Sequence, residues 1–104
     1  MKKRFILIIE SSTKEQNDSF LNWIKQEKLG WWHWFQNVWL ITNKAGNYTS
    51  SSIRDKLNEI FPGKNNLVIE LKEGEGSWSG YGPNSERRSM FKWLKTNWRK
   101  GPDL

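Results

Sequence analysis

Any chemistry this chain performs has to come from a short inventory. It contains one histidine, His33, and no cysteine. A lone imidazole excludes paired-histidine zinc motifs and leaves general acid–base work as its one catalytic option. Flanked by Trp32 and Trp34, however, His33 reads as a packed, hydrogen-bonded strand residue. The lack of cysteine excludes disulfides, thiolate nucleophiles and Cys-ligated zinc. No serine stands in G-x-S-x-G, and with one histidine and no cysteine a nucleophile–base triad has little to work with. Glycines 74, 76, 80 and 82 match neither G-x-x-x-x-G-K-[ST] nor G-x-G-x-x-G, so nucleotide hydrolysis is rejected.

Binding chemistry remains. The chain has eight tryptophans, and an indole face can act as a stacking platform for an unpaired base. Trp23, Trp39 and Trp98 fall on apolar stripes and read as core. Trp78 differs, because it lies with Tyr81 in the glycine-rich stretch 73–83, where no helical neighbours can bury it. Trp78 and Tyr81 are therefore expected either to contact a ligand or nucleic acid or to fold back over a partner subunit. Arg87, Arg88, Lys92, Lys95, Arg99 and Lys100 oppose only Glu86, a net charge of +5 across 86–100. Such a run serves either as a solvated helix face or as a phosphate-tracking stripe with salt-sensitive, weakly sequence-selective binding.

At 104 residues the chain reads as one domain, 1–104, with a formal net charge of +6 that favours acidic partners. Lys2-Lys3-Arg4 followed by five apolar residues imitates the start of a signal peptide, but Glu10 ends the run and no small-residue cleavage site follows. No stretch approaches the roughly 20 apolar residues of a membrane span. Cytoplasmic residence and no membrane partner are the expectation.

The element reading starts from Trp31 to Thr42. Gln36-Asn37 is the only polar pair between two aromatic and aliphatic runs, which predicts a hairpin with strands near 31–35 and 38–42. Strict alternation would put Trp31, His33 and Phe35 on one face and Trp32 and Trp34 on the other. Residues 4–9 form an apolar run suited to a central strand. Ser12-Thr13-Lys14-Glu15 offers a capping box for a helix carrying Phe20, Leu21, Trp23 and Ile24, with Gly30 as its stop. Ser50-Ser51-Ser52 opens a second helix bearing Ile53, Leu57, Ile60 and Phe61, ended by Pro62-Gly63. Residues 66–72 read as a strand. A basic helix over about 85–100, with Met90, Phe91, Leu94 and Trp98 along one side, closes the chain.

This order predicts an α+β fold of ferredoxin-like βαββαβ type with an additional C-terminal helix. Both crossover helices would cover one sheet face. The other, also apolar, needs a lid, either a second copy in a homodimer or the chain's own last helix.

Trp32-His33, then Val38-Trp39-Leu40-Ile41, Ser52-Ile53-Arg54-Asp55-Lys56-Leu57, Leu67-Val68-Ile69-Glu70 and the Trp78-containing glycine loop resemble the small bacterial SinR-like proteins. These are related in fold to the VapD ribonuclease toxins and to the small CRISPR-associated endoribonuclease of spacer acquisition. The resemblance spans nearly the whole chain and implies a ferredoxin-like protomer that dimerises through its sheet. In the nuclease relatives an acidic residue, usually Asp, at the end of the first strand pairs with its copy to hold a divalent metal. Here only Glu10 stands in that region, and its side chain is one methylene longer.

The expectation is a tryptophan-rich, basic homodimer that binds RNA or single-stranded nucleic acid without catalysis, metal or small-molecule cofactor. Trp78, Tyr81, Arg87, Arg88, Lys92, Lys95 and Arg99 are its contacts. One alternative is a divalent-metal-dependent endoribonuclease centred on Glu10. Another is a protein-interaction module such as a toxin–antitoxin component or inhibitor.

Overall fold

The computed structural model describes residues 2–71 and 90–98. It is an α+β structure in which a four-stranded antiparallel sheet carries helices on both faces. In chain order the elements are β1 (Lys3–Ile9), α1 (Lys14–Gln26), β2 (Gly30–Phe35), β3 (Val38–Asn43), α2 (Ser50–Ile60), β4 (Asn66–Leu71) and α3 (Met90–Trp93). The last continues directly into a π-helical turn, Leu94–Trp98. The sheet order is β2-β3-β1-β4. The apolar run 4–9 thus becomes a central strand, paired on both sides, as a continuous apolar stretch requires.

Both long helices begin with a reciprocal capping box, for α1 one step later than the sequence suggests, while α2 opens at Ser50 as expected. For α1 the pair is Thr13 and Gln16, not Ser12 and Glu15. The Gln16 amide donates to Thr13 Oγ1 over 3.1 Å, and the Thr13 amide donates to Gln16 Oε1 over 2.9 Å. For α2 the pair is Thr49 and Ser52, at 3.0 and 2.8 Å. Each reciprocal pair satisfies two backbone amides that the helix start would otherwise leave without partners.

The far end of α1 also differs from expectation. Gly30 does not stop it. Glu27 is the cap, and Lys28 takes the left-handed conformation (φ 58°) while the Leu29 amide closes back onto Ile24 O over 3.0 Å. Gly30 opens β2 instead. A Cβ there would lie 2.2 Å from Oγ1 of the buried Thr42, its partner across the ladder. The glycine is needed for close approach of two strands.

Alternate residues of β1 and β3, namely Phe5, Leu7, Ile9, Trp39 and Ile41, form one core with Phe20 and Ile24 of α1 and Ile53 and Leu57 of α2. Both helices therefore pack on the same face. At about 25 cal/mol per Å² of apolar area removed from water, this cluster is the main source of stability. The loop between β3 and α2 is tied down through Asn43, whose Oδ1 accepts from the Tyr48 amide over 2.9 Å. The Tyr48 hydroxyl in turn donates to Glu27 Oε1 over 2.5 Å.

The second face runs in rows across all four strands. One row is Trp32, Leu40, Ile6 and Ile69, and the next is Phe35, Val38, Ile8 and Leu67. Phe35 lies in this second row because the β2–β3 register shifts between Trp32 and Phe35. A bulge adds one residue and turns the following side chain over. Phe35 consequently sits 5.1 Å from Trp32, edge to face, and not beside Trp31 and His33.

Candidate nucleic-acid interface

The C-terminal segment covers one end of the second face. Trp32, Leu94 and Trp98 are buried together, with Ile6, Trp34, Leu40, Leu71 and Trp93 packed around them. The chain's own last helix is thus a lid for the aromatic strands at this end. Two cations from the start of β1 hold it there. The buried Arg4 donates from Nη1 to Trp98 O over 3.3 Å, with its guanidinium carbon 5.4 Å from the centre of the Trp98 ring. The buried Lys2 donates from Nζ to Asn97 O. Carbonyls at a helix C-terminus lack intrahelical partners and carry the negative end of the dipole, so cations suit them.

Among the described residues the lid leaves part of this face uncovered. Ile8, Phe35, Leu67 and Ile69 remain between 39% and 54% exposed, while Trp32 is 4% exposed. Three of these belong to one row across the sheet, so the exposed patch is continuous and not scattered.

Of the expected contacts, Lys92 and Lys95 lie on the tethered segment and are exposed. Trp78, Tyr81, Arg87, Arg88 and Arg99 lie outside the described residues. Glu10 follows β1 and is exposed, and its Oε1 accepts from the Asn65 amide over 2.9 Å. Among the described residues no three His, Cys, Asp or Glu side chains gather as a metal-binding group, and no helix is long and apolar enough to cross a membrane.

His33 is packed, as its neighbours suggest. Its ring lies flat on Trp39, with centroids 3.7 Å apart and planes 8° apart, and Nε2–H donates to Gln36 O over 3.0 Å. Because a carbonyl only accepts, this bond sets the tautomer. Burial lowers the His33 pKa, and the bond to Gln36 partly opposes that shift.

Sequence reasoning did not foresee a cavity beside β2. Among the described residues this strand has a neighbour on one side only. Along its outer edge runs a cavity of about 560 Å³ lined by Leu29, Gly30, Trp31, Trp32, His33, Trp34 and Trp93. Trp31 lies on the Trp39 side of the sheet and Trp32 on the other, so the cavity wraps around the edge of the strand. The run Trp31 to Phe35 signalled this aromatic edge. The arrival of Trp93 beside Gly30 did not show, because it depends on where the C-terminal segment docks.

Comparison with family models, with curated proteins and with solved structures gives no match for this chain.

Proposed function

We propose that the protein is a cytoplasmic, non-catalytic homodimer of ferredoxin-like protomers that binds RNA or single-stranded nucleic acid through its basic C-terminal segment. One observation carries this reading. The basic segment is tethered, with Arg4 and Lys2 gripping the Trp98 and Asn97 carbonyls, so Lys92 and Lys95 sit outward on a docked support. Cations held in place lose less side-chain and backbone freedom on meeting phosphates than cations on a loose tail. The net charge of +6 acts in the same direction. Sheet order 2-3-1-4, antiparallel neighbours and two helices on one face support the ferredoxin-like protomer, as does the resemblance to the SinR-like proteins.

The test is titration of labelled single-stranded RNA and DNA at low and raised salt. Binding should weaken with salt at a log–log slope of about −0.7 per neutralised phosphate, and Lys95→Ala should flatten that slope by roughly one contact. Absence of binding at low salt removes the proposal.

A second reading is a divalent-metal-dependent endoribonuclease centred on Glu10. It is favoured by the exposed position of Glu10 after β1, close in sequence to the uncovered Ile8. RNA cleavage that persists in Glu10→Ala would rule it out.

A further inference from the structure

We infer that the cavity along the outer edge of β2 is a base-stacking site for single-stranded nucleic acid, with Trp31 as its stacking surface and Lys95 as a phosphate contact. This rests on the nucleic-acid reading above and names where on the chain the bases lie.

Three observations converge on the cavity. Half of the protein's eight tryptophans line it, namely Trp31, Trp32, Trp34 and Trp93. Indole faces accept any base, because every base has a π-face. Its volume of about 560 Å³ falls within the roughly 300–1,000 Å³ of small-molecule sites, enough for planar rings to enter. Trp31 keeps 37% of its surface exposed although it lies against Trp39 at 6.2 Å, so one indole is both buttressed and accessible.

Polar recognition is also available. As an edge strand among the described residues, β2 turns part of its backbone N–H and C=O groups outward, where base edges find both donors and acceptors.

Charge selects the occupant. The segment carrying Trp93 also carries the exposed Lys92 and Lys95, exposed Lys25 and Lys28 stand at the end of α1 just before Leu29, and none of the lining residues is acidic. An extended peptide without acidic side chains, adding to β2, would use the same backbone groups but would gain nothing from these lysines. A polyanion whose bases stack and whose phosphates run past them uses both.

The experiment titrates the full chain with a short labelled oligouridine and with an abasic strand of equal length, reading tryptophan emission and affinity. Oligouridine should quench emission and bind roughly tenfold or more tightly than the abasic strand. Trp31→Ala should remove most of that difference without altering the salt slope, and Trp31→Phe should retain most of it. Thermal melts show that each variant folds, and the abasic comparison needs no variant at all. Equal affinity for the two strands, with salt-dependent binding intact, overturns this inference and leaves the nucleic-acid reading standing. Binding to neither strand at low salt overturns both. Quenching by an extended Thr-Val peptide and not by oligouridine assigns the edge to strand addition and likewise overturns it.

Discussion

His33 shows how a single side chain sets a pH dependence. Burial against Trp39 disfavours the imidazolium, so the folded-state pKa lies below the ordinary value of 6.5. Between those two values the unfolded chain binds more protons than the folded one, and stability falls as pH falls through that window. The urea midpoint should therefore hold steady above the ordinary histidine range and decline below it. His33→Phe, which can still stack on Trp39, should lose that dependence, and an unchanged slope in the variant would contradict the assignment. Lys28 gives a second residue-scale test. A left-handed conformation costs a non-glycine residue roughly 1–2 kcal/mol. Lys28→Gly should recover about 1 kcal/mol of this, raising Tm by around 4–8 °C in a domain of this size. A lowered Tm would mean that the Lys28 side chain makes a compensating contact. Neither site was fully legible in the sequence. The aromatic neighbours of His33 foretold packing, but the helix stop was read two residues late because Gly30 is the residue type that usually marks it. In the fold Gly30 serves the approach to Thr42 instead.

At the scale of elements, the C-terminal segment depends on β1. The sequence shows an apolar side on the last helix and a bare sheet face, and these fit together. It does not show the two cations at the start of β1 that fasten them. A hydrogen bond from a charged donor is worth about 1.5–3 kcal/mol. Arg4→Met keeps the apolar stem but removes both the bond to Trp98 O and the guanidinium over its ring. Amide exchange over residues 94–98 should accelerate about tenfold or more, with little change in the amides of β1 and β3. Uniform acceleration throughout the sheet would show that Arg4 supports the core in general and not this docking. The bulge in β2 belongs to the same scale. Strict alternation assigned Phe35 to the wrong face because periodicity has no means of signalling an inserted residue.

For the whole molecule, the unfinished lid is the controlling fact. Phe35, Val38, Ile8 and Leu67 form one row across four strands, and three of them are substantially exposed. A contiguous apolar surface of this kind more often marks association than idle exposure. If this row meets its own copy, light scattering should give twice the 12.4 kDa chain mass, and Leu67→Lys should return it to 12.4 kDa. Leu67 is 54% exposed, so a lysine there should leave monomer stability within about 0.5 kcal/mol. A wild-type mass of 12.4 kDa at every concentration would end the case for pairing through this face.

The sequence by itself determined the order of elements, the Gln36-Asn37 hairpin, the central place of β1 and the helical stripes that build the main core. These follow from apolar spacing within a few residues. Tertiary structure alone decided how far the lid extends, which way Phe35 faces and which tryptophans gather at the β2 edge. Those outcomes hinge on contacts between distant parts of the chain, such as Lys2 with Asn97, 95 residues apart. Local pattern holds no record of such meetings, because packing between elements is settled only when the elements dock.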